Sequence, residues 1–237
     1  MNEEKTEEQE EHAEEEGAST DEEEQEDGEP QPIDLSSLAE MVRASIEGEA
    51  EPSLEDLRCV GLYGDIDEEK AAETIVGLLS LHHLGKPKLP EEGEEQEPGK
   101  PIDLYISTYG GSADEMASLV DVINLIKKDC PVRTIGIGKV MSAGVLVLAS
   151  GTKGERIIGK NCRVMIHSVI GGHSGALHNL ENELTEIKKM QEVYIDSLVK
   201  ETKMTKKQIK SFMRRKTNVY LTAEEAIEYG IADKILE

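Results

Sequence analysis

Gly136-Ile137-Gly138-Lys139-Val140-Met141-Ser142-Ala143-Gly144 runs out of an apolar strand, through a turn and into a helix. The residues behind it, Val145-Leu146-Val147-Leu148-Ala149, are all apolar, so the helix they form belongs in an interior. A hydroxyl at a strand-to-helix junction is held off the fold by a sharp backbone turn. The first amides of the helix have no internal partner and can receive a developing negative charge. That arrangement suits a serine nucleophile with half an oxyanion hole. It also suits a plain N-cap, which on this window alone is the better account of Ser142.

Working outward, strands and helices alternate. Apolar runs at 59–64, 102–106, 132–138 and 163–166 read as strands, and a last short one falls near 232–236. Helical spacing appears over 68–82, 113–128 and 143–149, and over a long stretch at 176–202. Thr205-Lys206-Lys207-Gln208 and Thr222-Ala223-Glu224-Glu225 are capping boxes that open two more helices. Gly-closed strands in this rhythm imply βαβ units and a mostly parallel sheet, an α/β fold. Thr108-Tyr109-Gly110-Gly111-Ser112 reads as a tight turn after the second strand. The 176–202 helix would span roughly 40 Å, long for so small a sheet, so part of its apolar stripe should pack on another subunit.

The flanks differ in composition. Residues 1–33 are Glu-rich and nearly free of apolar side chains, and should be a disordered acidic extension. Residues 34–50 carry Leu35, Leu38, Met41, Val42 and Ile46 at helical spacing, a short amphipathic helix. The folded domain should then occupy 51–237, interrupted at 85–100 by an acidic loop of three Pro, three Gly and five Glu.

Composition closes off several classes. The formal net charge of the 237-residue chain is −24, which repels phosphate and argues against nucleic acid and anionic membrane. No apolar run approaches the ~20 residues of a membrane helix, and the acidic start is not a signal peptide. The cysteines Cys59, Cys130 and Cys162 have no CxxC spacing. They read as ordinary thiols of a reducing cytoplasm, with neither a metal site nor a cofactor expected.

A His at the end of an apolar strand, Val164-Met165-Ile166-His167, alters the weight of Ser142. Both residues fall at strand ends, where catalytic groups gather in alternating folds. The Gly110-Gly111 pair ends another strand and allows close backbone approach to a ligand.

Together, the window 136–172 (GIGKVMSAGVLVLASGTKGERIIGKNCRVMIHSVIGG), the upstream YISTYGGS and the downstream YLTAEEAIEYGIAD resemble the proteolytic-subunit family of the Clp protease, self-compartmentalised serine peptidases. The likeness runs from about Arg58 to the C-terminus. It implies a ClpP/crotonase-like repeated ββα spiral with a long protruding handle helix. It makes Ser142 the nucleophile, His167 the general base, and the amides of Gly111 and Ala143 the oxyanion hole. It further implies that a strand around 171–175 (Gly171, Gly172, His173), with Gly110, binds extended substrate. The long helix would interlock two heptameric rings of a homo-oligomer. A separate AAA+ unfoldase would be required for folded proteins, since the chain has no GxxxxGK[ST] motif.

Five positions, in three groups, depart from the family pattern. Asn218 stands where the third triad member is an Asp; its amide can orient the imidazole but cannot stabilise imidazolium by charge. Tyr109 and Ala143 replace the usual Pro and Met, at places where only backbone amides act. Asp103 and Ile157 replace aromatics of the unfoldase-docking pocket, although Tyr105 matches, and this weighs against the usual partner. The leading expectation is an ATP-independent serine endopeptidase working through an acyl-enzyme. A non-catalytic ring subunit, a viral capsid-maturation protease of the same fold and a crotonase-type acyl-CoA enzyme are the rivals.

Overall fold

Parallel pairing of long apolar strands organises the molecule. The structure, a computed structural model, describes residues 57–87, 97–172, 174–215 and 217–236. The acidic extension, the helix expected at 34–50, residues 88–96 of the acidic loop and His173 lie outside them. In chain order the elements are β1 (Cys59–Ile66), α1 (Glu68–Gly85), β2 (Ile102–Gly111), α2 (Ala113–Ile126), β3 (Val132–Met141), α3 (Ala143–Ala149) and β4 (Ile157–Gly159). They continue as β5 (Arg163–Ile166), α4 (Leu177–Glu201), α5 (Lys206–Arg214), β6 (Val219–Leu221), α6 (Ala223–Glu228) and β7 (Lys234–Leu236).

The sheet runs β1-β2-β3-β4-β7, every neighbour parallel. β3 serves two partners along its length. Ile135 and Gly136 pair with β4, whereas Lys139 to Met141 pair with β5, which in turn takes β6 antiparallel. Between those stretches Gly138 adopts φ +65°, and the β2–β3 register shifts between Ile106 and Thr108. A bulge of this kind bends a strand and re-aims the side chains beyond it. Ser142 is among them.

Burial explains the apolar patterns. Ile102, Leu104, Ile106 and Thr108 alternate onto the covered face of β2, and all seven residues of α3 are buried against the sheet. Gly144 lets α3 lie directly on the Thr108 side chain, where a Cβ would collide. Arg156, buried, ties the far end of α3 to the rest. Its guanidinium donates to both Asp233 carboxylate oxygens (2.7 and 2.6 Å) and to the carbonyls of Ala149 (3.1 Å) and Glu201 (2.7 Å).

The long helix α4 has 25 residues, and Tyr194, Ile195, Leu198 and Glu201 at its C-terminal end are buried. Leu177 and Leu184, towards its start, are exposed at 72% and 52%. Both capping boxes form as expected, at Thr205/Gln208 and Thr222/Glu225.

Three features differ from the sequence-based expectation. The region 108–112 is not a free turn: β2 continues through Gly111, because Asp65 and Ile66 of β1 pair with Gly110 and Gly111. The three-residue strands β4 and β6 had no local signature, since pairing with distant partners defines them. Residues 171, 172 and 174–176 form no strand. Among the described residues no strand pairs with that Gly-rich segment, and glycine lowers strand stability further.

Candidate active site

Ser142 is the sole non-glycine residue with positive φ among those described, at φ 52°, ψ −122°. Such a conformation costs ~1–3 kcal/mol and persists only where surrounding contacts over-determine it. The contacts are identifiable. The Ser142 N–H donates to Met165 O (2.8 Å), and its carbonyl accepts from the Val145 N–H (3.0 Å) and the Tyr194 hydroxyl (3.0 Å). Ser142 occupies the N-cap position of α3, yet its side chain makes no capping hydrogen bond. The capping reading of this serine is therefore overturned: among the described residues its hydroxyl has no hydrogen-bond partner, at a strained strand-to-helix elbow.

Register places the other residues beside it. β5 is parallel to β3 with Met165 opposite Met141, and β6 is antiparallel to β5 with Val219 opposite Ile166. Ser142 directly follows β3, His167 directly follows β5 and Asn218 directly precedes β6, so the three stand just beyond the ends of neighbouring strands at one edge of the sheet. β2 ends at the same edge in Gly110 and Gly111. Ser142, Ala143, His167, Gly111, Gly171 and Gly172 all line one cleft of about 470 Å³. Asn218 is exposed and does not line it. Among the described residues no hydrogen bond joins Ser142 to His167 or His167 to Asn218.

The glycine pair explains itself sterically. Gly110 has φ +99°, and a Cβ there would stand 2.6 Å from Ser142 Cβ, 2.9 Å from Met141 O and 3.1 Å from Ala143 N. At Gly111 (φ +154°) a Cβ would be driven into the Ile66 backbone. The buried Thr108 hydroxyl accepts the Gly110 N–H at 2.9 Å and holds this backbone against the elbow. The Ala143 amide opens the first turn of α3, where it has no helical carbonyl four residues back to bond. The cleft thus offers a hydroxyl, an imidazole and backbone donors within one enclosure.

The ionisable side chains in the cleft wall are Asp114, Glu183, His167, Tyr109 and Tyr194, with no Lys or Arg. Burial pushes the Tyr194 phenol well above its ordinary range. Cys162, just before β5, is pushed up to about 11 by burial, which keeps it an inert thiol. Away from the cleft, His82, Asp129 and Cys130 form a cluster able to hold a metal ion. They are already satisfied locally: His82 Nε2 meets Asp129 Oδ1 at 2.7 Å and Cys130 Sγ donates to Gly85 O at 3.4 Å.

The profile of the family described as Clp protease matches residues 50–237. The ATP-dependent Clp protease proteolytic subunit 1 of Bifidobacterium longum (strain NCC 2705) is 33% identical over 181 residues, 76% of this chain and 71% of that protein. A solved structure of an Asn-to-Asp mutant of ClpP1 from Listeria monocytogenes aligns at TM-score 0.65 and 29% identity, over 78% of this chain and 94% of the other. This chain belongs to the Clp protease family.

Against that family's pattern, the departures have visible surroundings. Tyr109 is exposed, with Lys139 Nζ 4.3 Å from its ring centroid. Asp103 is engaged by Arg133, whose Nη2 donates to Oδ2 at 2.8 Å. An ion pair thus occupies a place where the Clp protease resemblance leads one to expect an apolar docking surface. Residues the sequence did not single out for the site are Thr108 and Tyr194. Tyr194 showed only as one member of a helical stripe, and its partner lies 52 positions away. No local pattern marks such a contact.

Proposed function

We propose that this chain is a serine-type endopeptidase, with Ser142 as nucleophile and His167 as general base. The observation that carries the reading is the strained backbone of Ser142 combined with its uncapped hydroxyl in the His167-lined cleft. In acylation Ser142 Oγ attacks the scissile carbonyl carbon and its proton passes to the His167 imidazole. The oxyanion is received by the Gly111 and Ala143 amides. Collapse breaks the C–N bond, and the amine leaves with the proton held by His167. Water then cleaves the ester by the same route in reverse, and restores the hydroxyl.

Asn218, one position before β6, would orient His167 by turning its amide to the imidazole, a contact not made in this structure, and the segment containing Gly171, Gly172 and His173, with Gly110, receives extended peptide. The exposed start of α4 supports assembly with further copies, as two heptameric rings enclosing a chamber. Peptides and unfolded chains are the substrates, in the cytoplasm. A separate AAA+ unfoldase would deliver folded ones. No helix among the described residues is long and apolar enough to cross a membrane.

A fluorophosphonate probe tests the core of this reading. The wild-type protein should be labelled, with fluoride displaced from phosphorus by Ser142 Oγ, and Ser142→Ala should not. Equal labelling of the variant would dispose of the assignment. One observation favours a second reading, a ring subunit without catalysis: Asn218 is exposed and unbonded to His167. Peptide hydrolysis by the purified protein, with Asn218→Asp beside it, separates the two. Activity that rises in Asn218→Asp supports the triad placement, and inertness of both supports the second reading.

A further inference from the structure

We infer that Tyr194 is a positioning residue, whose hydroxyl holds the Ser142 carbonyl and thereby keeps the strained elbow aimed into the cleft. The inference rests on the serine-peptidase reading and adds a residue to it. The Ser142 peptide units are held by three hydrogen bonds. Two are to backbone groups, Ser142 N–H to Met165 O of β5 and Val145 N–H of α3 to Ser142 O. The third, Tyr194 Oη to Ser142 O at 3.0 Å, is the only one from a side chain among the described residues, and comes from α4. Relaxing φ from 52° towards the usual negative values would swing this carbonyl away from both of its donors.

The chemistry of Tyr194 agrees with that task. Packing alone would be met by Phe, Leu or Met. A buried hydroxyl is unfavourable unless it finds a partner. Tyr194 is 5% exposed, and Ser142 O is the partner its hydroxyl has. The phenol is a donor at neutral pH as any tyrosine is, and burial pushes its titration further upward. Ile195 and Leu198, fully buried next to it, anchor this end of α4, so the hydroxyl is held by a rigid support. The ring also forms part of the cleft wall with Met190 and Ile187, one and two turns earlier on the same face. Substrate does not need to touch the hydroxyl for the role to matter. A nucleophile displaced by an ångström loses much of its advantage.

Tyr194→Phe removes one oxygen and keeps the ring. Saturation kinetics of fluorophosphonate labelling, run with peptide hydrolysis, should show the limiting rate and kcat falling about tenfold, equivalent to about 1.4 kcal/mol. The half-saturation concentration and KM should stay within about twofold, because ground-state binding is untouched. Tyr194→Leu should add a loss of Tm to the same rate defect, and so separates packing from the hydrogen bond. A Tyr194→Phe protein that keeps the wild-type limiting rate overturns the inference, as does a defect confined to KM. Absence of labelling in the wild type overturns this inference together with the hydrolase reading. A labelled wild type with an unaffected Tyr194→Phe variant overturns this inference alone.

Discussion

Gly110→Ala places a methyl group directly against the nucleophile elbow. With φ +99°, alanine meets backbone strain of ~1–3 kcal/mol. The new Cβ would stand 2.6 Å from Ser142 Cβ and 2.9 Å from Met141 O, and neither is the end of a flexible side chain. Overpacking of this type costs ~1–3 kcal/mol. Stiffening of the unfolded chain returns only about 0.4–1 kcal/mol. The net loss of ~1–5.5 kcal/mol corresponds to a Tm lower by roughly 2–20 °C for a domain of this size. Gly64→Ala is the control, because Gly64 has a similar φ of +86° but nothing within 4 Å. It should suffer strain alone, about 1–2 kcal/mol. The assay pairs thermal unfolding with the fluorophosphonate labelling rate. If the clash is relieved by pushing Ser142 aside, the labelling rate collapses and Tm falls less. A Gly110→Ala protein no less stable than Gly64→Ala, and labelled at the wild-type rate, would refute the reasoning.

Three further outcomes are expected. At Asp233, burial alone would raise the carboxyl, but hydrogen bonds from Arg156 and the Gly154 amide outweigh it and hold it below its usual range. Its stabilisation is therefore complete above the unfolded value of about 3.9 and fades as pH falls through the lower folded one. Asp233→Asn should cost about 3 kcal/mol at neutral pH, with the gap to wild type closing in acid; a gap unchanged by acid in denaturant melts would contradict the pairing. Under native alkylation at neutral pH, mass spectrometry should find the exposed Cys59 modified well before Cys162, whose thiol sits at about 11; equal rates would show that Cys162 is not held as described. Leu184→Glu, at an exposed site on α4, should leave Tm near wild type while light scattering finds a smaller assembly; an unchanged mass would exclude this part of α4 from a ring contact.

Amino-acid order alone settled what depends on near neighbours. The apolar periods of α2 and α3, the capping boxes at Thr205 and Thr222, and Ser142 and His167 at strand ends all come from patterns within a few residues. Other features arise only when distant segments meet. β4 and β6 are three residues each and exist through their partners, and Gly110 and Gly111 are strand residues because β1 pairs with them. Whether Ser142 capped its helix or offered a free hydroxyl could not be read from the window around it. The answer depends on a carbonyl gripped from α4 and an amide gripped from β5. Local propensity acts over one turn or one pleat, whereas a strained backbone is sustained only by contacts that the completed fold brings together.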